Sequence, residues 1–325
     1  MPSAVDVTEA RSEAADHFSG RVEHQNATHL FRAHGKRVSR DDSPREKRCV
    51  GGWAMTARRY VTKRIVDQVA SQMSERDRRV LETVARLNLV SERQLRVLRG
   101  AHSASERRLL RLDLANLVDR QVLTRLDRRV GGIRAGSDGY VYALGILGQR
   151  LARPGSHVPR TPWTPLPNHL RHALAVSQLY VDLRLAASET SKLSTFDAEP
   201  SCWRRFSGHG GARSILRPDA YVTIRLDSFE DCYFVEMDCA TESTPRVIGK
   251  ARTYVRYYQS GREQVRHGVF PLVVWVTPQQ RRAAQITEAL AKLDADHWRL
   301  FAVTTTDDAA KQLLAGTFVE QGAAR

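Results

Sequence analysis

The chain lacks most of the features that would place a protein in a membrane or an oxidising compartment. It has four cysteines in 325 residues, Cys49, Cys202, Cys232 and Cys239, and no two of them form a CxxC pair. A disulfide framework or a cysteine-based zinc site is therefore not expected, and a reducing cytoplasm is the default location. No apolar run is long enough to span a bilayer. The N-terminus lacks the basic-then-apolar order of a secretion signal. Acids are scarce relative to bases, 36 Asp and Glu against 51 Lys and Arg, for a formal net charge of +15. Such an excess draws a polyanion, because each neutralised phosphate releases counterions. Arginine dominates over lysine, which suits bidentate contacts to phosphate and guanine. A GC-rich genome also raises arginine content without any functional demand, so charge alone does not decide the partner.

The length predicts two domains, each able to bury a core. Residues 1–70 read as a disordered or loosely structured basic extension, since the first 55 are polar and carry no sustained period. Met55 opens the basic stretch Met55-Thr-Ala-Arg-Arg-Tyr-Val-Thr-Lys-Arg64, so either Met1 or Met55 serves as the start. A first domain is expected over 71–151. Residues 152–167 hold Pro154, Pro159, Pro162, Pro165 and Pro167 and read as a linker. A second domain follows over 168–325. No internal repeat is evident.

The spacing in the first domain predicts three helices. Ser74 can cap the first, with Asp77 in its opening turn, and Val80, Leu81, Val84 and Leu87 form its apolar stripe. Ser91 caps a short second helix carrying Leu95 and Leu98. Ser103 with Glu106 fits a capping box for the third, whose inner side is Leu110, Leu114 and Leu117. Strands are expected at Val122–Leu126 and Tyr140–Leu144, with an arginine- and glycine-rich link between them. Three helices and such a hairpin make a winged helix-turn-helix, in which the third helix enters the major groove of double-stranded DNA and the hairpin tip touches phosphate or the minor groove. The candidate DNA contacts are Arg107, Arg108 and Arg111 on the helix and Arg128, Arg129 and Arg134 on the tip. Two blander readings stand beside this one: a solvated arginine face, and a winged helix used for protein contacts or dimerisation.

The second domain reads as α-β-β-β-α-β-α-β. Helix signals lie at about 168–187, 245–259, 278–293 and 307–314, and strand signals at about 195–205, 217–226, 232–239, 269–276 and 299–304. This order implies a mixed sheet flanked by helices, an α+β or α/β fold. Strand alternation puts Asp219, Tyr221 and Thr223 on one face and Glu236 with Asp238 on another, and a short turn near 227–231 would bring Asp219 beside Glu236. Two carboxylates on a sheet can hold Mg²⁺, which polarises a phosphodiester and supplies a hydroxide. Lys250 on the following helix could stabilise the developing phosphate charge. The alternative is structural: Asp219 as a polar residue where the strand begins, and Glu236 and Asp238 paired with Arg246, Lys250 or Arg252. His169 and His172 are spaced as helix neighbours and could bind a metal, but no third ligand is apparent. Gly208-His-Gly-Gly211 lacks the Lys and Ser/Thr of a phosphate loop and reads as a turn. The cysteines near Glu236 read as small core residues.

Pro218-Asp219 followed by Glu236-Met237-Asp238, inside an α-β-β-β-α-β core, resembles the PD-(D/E)xK nuclease superfamily. Asp238 stands where that motif has its Lys, and Lys250 matches the members that carry the Lys on the next helix. Residues from about 74 to 315 are similar to the replication-relaxation family of mobile elements. The likeness rests on Asp77-Arg-Arg-Val-Leu81, Val90-Ser-Glu-Arg-Gln-Leu95, Tyr142-Ala-Leu-Gly145 and His172-Ala-Leu-Ala-Val176. It is strongest at Arg217-Pro-Asp-Ala-Tyr221, Phe234-Val-Glu-Met-Asp238 and Gly249-Lys-Ala-Arg-Thr-Tyr254.

The resemblance implies a winged helix joined to a nuclease-like domain, on a plasmid or integrative element, acting in replication or DNA relaxation. It implies Asp219, Glu236, Asp238 and Lys250 as the catalytic set, with Mg²⁺ on Asp219 and Glu236. Two other functions remain open. One is a DNA-binding accessory or transcriptional regulator with an inert nuclease-like domain. The other is an adaptor docking replication or conjugation proteins. A homodimer is compatible with each, and no membrane partner is expected.

Overall fold

A computed structural model describes residues 61–126, 139–153, 165–208, 211, 213–227, 229–294 and 297–318. The first helix, α1, spans Lys63–Ser71 and is capped by the Thr62 hydroxyl. Three capping boxes then set three helix starts. Ser74 and Asp77 close the N-terminus of α2 (Glu75–Leu87), Ser91 and Gln94 that of α3 (Glu92–Arg99), and Ser103 and Glu106 that of α4 (Ala104–Asp119). In each, the serine hydroxyl accepts from the backbone N–H three residues on, and that residue's side chain accepts from the serine N–H, so two otherwise orphaned donors are satisfied. The stripe Val80, Leu81, Val84 and Leu87 is buried, as are Leu95 on α3 and Leu110, Leu114 and Leu117 on α4.

Short strands complete this part: β1 (Val90–Ser91), β2 (Leu123–Leu126) and β3 (Val141–Leu144), with β3 central and antiparallel to both others. Helix α5 (Ile146–Ala152) follows. Gly145 and Gly148, around its start, lie against the carbonyls of Gln121 and Val122 so closely that a Cβ at either would collide with them. The tip residues Arg128, Arg129 and Arg134 lie outside the described residues.

The rest of the chain begins with α6 (Pro167–Ala186) and β4 (Ser191–Ala198). The ribbon β5 (Arg204–Ser207) and β6 (Arg213–Leu216) comes next, then β7 (Ala220–Leu226) and β8 (Phe229–Met237). After them run α7 (Thr244–Gln259), α8 (Arg262–His267), β9 (Leu272–Thr277), α9 (Gln280–Leu290), β10 (Phe301–Thr305) and α10 (Thr306–Ala315). The five-stranded sheet has the order β10-β9-β8-β7-β4: β4, β7 and β8 form an antiparallel meander, and β8, β9 and β10 run parallel. Alternation along β7 and β8 divides two cores. Ala220, Val222, Ile224, Tyr233, Val235 and Met237 pack with α6 and α10, while Tyr221 and Phe234 pack with α7, α9 and the buried Trp275 of β9.

Three expectations change. The strand expected over 195–205 ends at Ala198, because the chain turns at Pro200, where the Ser201 N–H bonds the Ala198 carbonyl and that of Trp203 bonds Pro200. Arg204 and Arg205 belong instead to the separate β5–β6 ribbon; His209 and Gly210 of the expected glycine turn lie outside the described residues. The strand expected from Arg217 starts at Ala220, since Pro218 offers no N–H to a ladder. Residues 63–70, placed by sequence in a loose extension, are helical, with Ile65, Val66 and Val69 packed on the core. The short α8 was not foreseen; its six residues carry no apolar period.

One hydrophobic cluster runs from Val84, Leu87 and Leu117 through to Leu183, Phe196 and Val222. Buried and partly buried polar bonds cross the same boundary. The Ser177 hydroxyl donates to the Leu89 carbonyl at 2.6 Å, the Gln94 amide to the Leu174 carbonyl at 2.9 Å, and the Asn88 amide to the Glu199 carbonyl at 2.5 Å. Residues 71–151 therefore share a core with the large sheet, whatever path the proline-rich segment takes; most of that segment, 154–164, lies outside the described residues.

Candidate functional site

The β7–β8 register pairs Ala220 with Val235, which sets Asp219 opposite Glu236 at the end of the hairpin. The sequence expectation of neighbouring acids thus has its backbone counterpart. The side chains, however, are anchored to opposite helical layers. One Asp219 oxygen accepts the Met237 N–H at 2.7 Å, and the other lies 3.0 Å from His172 Nε2 on α6. Glu236 accepts from Tyr254 Oη at 2.6 Å and from Lys250 Nζ at 2.8 Å, both on α7. Asp219 is 6% exposed and Glu236 2%.

The electrostatics follow from these contacts. Burial, reinforced by the charge of Asp219, pushes the Glu236 carboxyl above its ordinary range, and Lys250 and Tyr254 pull against that shift. Burial disfavours the Lys250 ammonium, yet Glu236, Asp219 and Glu242 outweigh it and hold the lysine above its usual value. For His172, burial likewise opposes the charge, but hydrogen bonds to Asp219 and Cys239 prevail and raise it to about 10. Burial and the His172 cation lower His169. Burial and Asp219 raise Glu199. Asn88, His169, His172, Glu199, Trp203 and Asp219 line a cleft of about 350 Å³.

Asp238 departs furthest from the expected catalytic set. It is 2% exposed, one oxygen is 2.7 Å from Arg282 Nε and 2.6 Å from Arg282 Nη2, and the other accepts the Ala240 N–H at 2.6 Å. Arg282, on α9, also donates to the Glu242 carbonyl. Asp238 is thus ion-paired, but with Arg282 rather than with Arg246, Lys250 or Arg252.

Mg²⁺ needs open carboxylate oxygens and room for its waters. Asp219 and Glu236 each meet a cation, His172 or Lys250, at hydrogen-bond distance, and both are buried, Asp219 at the wall of the cleft. Among the described residues no group of three or more His, Cys, Asp or Glu side chains is arranged to hold a metal ion. The donor set as folded does not fit Mg²⁺. Sequence reasoning missed His172 as the partner of Asp219 and missed Arg282 altogether, because both lie more than 40 residues from their acids and reach them through the sheet.

Of the candidate DNA contacts, Arg107, Arg108 and Arg111 lie on α4. Arg108 and Arg111 are exposed and Arg107 half-buried, with Leu112 beside them at 59% exposure. Arg111 Nε donates to Glu92 at 2.8 Å, and that carboxylate raises the guanidinium further above its ordinary value. Glu92 also packs beneath Gly139, whose φ of +80° begins the return of the hairpin. At the hairpin base Arg125 stacks on Tyr140 at 4.3 Å. Glu92 thereby ties the start of α3 to α4 and to the root of the hairpin.

No helix among the described residues is long and apolar enough to cross a membrane. Neither a curated protein nor a solved structure matches the chain. The family model described as replication-relaxation matches residues 81–273, more than half of the sequence, from the middle of α2 through α3, α4 and the acidic hairpin to the start of β9. The chain belongs to the replication-relaxation family, whose description points to a role in replication or DNA relaxation.

Proposed function

We propose that the chain binds double-stranded DNA as a winged helix-turn-helix protein and serves replication or DNA relaxation on a plasmid or integrative element as a non-cleaving accessory or regulator. The observation that carries the reading is the element order α2-β1-α3-α4-β2-β3 with β3 between β1 and β2, which leaves the arginine-bearing face of α4 exposed. In a winged helix that helix lies in the major groove and the β2–β3 tip meets the backbone. The net charge of +15 favours the same partner.

The large sheet supports a scaffold role. Its helix–meander–helix–strand order is compatible with the PD-(D/E)xK resemblance, and Lys250 stands beside Glu236. The acids are neutralised from within, however, by His172, Lys250 and Arg282. Breaking these pairs to admit Mg²⁺ would leave buried cations uncompensated. The test is incubation of purified protein with supercoiled and linear DNA in Mg²⁺ or Mn²⁺. The expected result is a salt-sensitive complex and intact DNA. Metal-dependent cutting that disappears in Asp219→Ala would replace the accessory reading with a nuclease. Failure to bind any duplex at low salt would favour an adaptor for replication or conjugation proteins.

A further inference from the structure

A second basic surface lies on the outer side of α7, remote in sequence from α4. Arg252 and Arg256 are exposed there one turn apart, and Gly249 lies one turn before Arg252. With Lys292 and His297 they line a groove of about 470 Å³, which a single carboxylate, Asp294, also borders. Arg256 donates one bond to Thr253 on its own helix, which steadies the guanidinium at the surface. Lys292 meets exposed Glu288 at 3.1 Å, a pair of the kind that contributes little and yields readily to another anion.

Gly249 is the unexplained member of this surface. Glycine inside a helix disfavours it relative to alanine. Among the described residues nothing requires the exception: a Cβ at Gly249 would meet none of their atoms within 4 Å. The missing side chain makes room on the exposed side of α7, where a partner can come close to the helix backbone. The adjacent Lys250 turns inward to Glu236, away from the groove.

We propose that this groove binds the phosphate backbone of DNA, with Arg252, Arg256 and Lys292 contacting phosphates and Gly249 as the point of closest approach. Guanidinium groups offer the planar, bidentate donors that phosphate recognition uses. The proposal extends the duplex-binding reading to a separate face, and its success or failure is separable from that of α4.

The test uses the full-length protein and a fluorescein-labelled duplex several helical turns long, titrated by anisotropy across a salt series. The Arg252→Ala/Arg256→Ala variant should lose about eightfold in affinity per phosphate contact near 0.1 M salt, and its slope of log K on log salt should shrink by about 0.9 per contact. Both side chains are exposed, so its thermal midpoint should stay at the wild-type value. Gly249→Leu should raise the thermal midpoint, since leucine favours the helix and the space is open, yet weaken duplex binding severalfold. Wild-type affinity and slope in the double arginine variant would overturn the proposal, as would Gly249→Leu binding at full strength. A measured preference for anionic lipid vesicles over the duplex would overturn it as well. Loss of binding in Arg108→Ala/Arg111→Ala with none in Arg252→Ala/Arg256→Ala leaves α4 as the DNA face and removes the groove; the reverse pattern removes α4 and keeps the groove.

Discussion

Lys250 Nζ lies 2.8 Å from Glu236 Oε2, reaching back from α7 to a carboxylate that is 2% exposed on the central strand. A buried pair of this kind adds little over an apolar substitute, but breaking one side of it costs about 3–5 kcal/mol. Lys250→Met should therefore lower the urea midpoint strongly, with Glu236 taking up a proton in compensation. Glu236→Gln in the same background should restore most of the loss, because the amide can keep the Tyr254 bond without a charge. Additive losses in the two single variants and the double variant would show that the pair is not coupled.

Arg282 and Asp238 make a parallel case with a sharper functional consequence. Arg282→Met strands a buried carboxylate and should destabilise the fold by about 3–5 kcal/mol, read from denaturant unfolding. Asp238→Asn should cost stability while leaving duplex affinity at the wild-type level. A selective loss of DNA binding or processing at unchanged stability would restore Asp238 to the working site.

The His172–Asp219 pair makes stability depend on pH in a defined direction. The imidazole titrates near 6.5 in the unfolded chain and is raised to about 10 in the fold. The contribution is therefore complete below pH 6.5 and disappears as pH rises through about 10. Its size should be about 2–4 kcal/mol after allowance for the partial exposure of the ring. Wild type should lose stability across that window faster than His172→Gln, as measured by chemical denaturation at several pH values. Equal slopes would show that the imidazole is not held as a cation.

Asn88 joins the α2 end to the large sheet. Its φ is +64°, the Leu89 N–H bonds back to the Leu87 carbonyl at 2.8 Å, and its amide reaches the Glu199 carbonyl. That tight turn is an uncommon, strained one, held in place by contacts across the shared core. Residues 61–318 should therefore unfold in one calorimetric transition, with calorimetric and van't Hoff enthalpies in agreement. Asn88→Ala should lower its midpoint through both the lost bond and the positive φ, and Asn88→Gly should lower it less. Two resolved transitions in the wild type would restore the picture of separate domains.

The local signals in the sequence were reliable where one residue type enforces one conformation. Ser74, Ser91 and Ser103 marked three helix starts, and the alternation around Asp219 and Glu236 gave the correct pairing across the hairpin. Glycine and proline punctuation was legible as breaks, but not in its consequence at Pro200, where a single expected strand became a sheet strand and a separate ribbon. Lys250 was among the cations the sequence offered for Glu236 and Asp238, but His172 and Arg282 were not legible as partners of the acids. His172, Lys250 and Arg282 lie on three different helices, and the sheet order decides which cation meets which carboxylate. The shared core escaped for a similar reason: Leu87, Leu117 and Leu183 read as interior residues of their own segments, and no local pattern shows that they belong to one cluster.

The central claim, that α4 is the DNA-facing helix, is tested most directly by duplex binding of Arg108→Ala/Arg111→Ala. Fluorescence anisotropy over a salt series measures both affinity and the number of phosphates engaged. The account predicts at least a tenfold weakening near 0.1 M salt, with a shallower salt slope and an unchanged fold. Wild-type affinity and slope in that variant would contradict it.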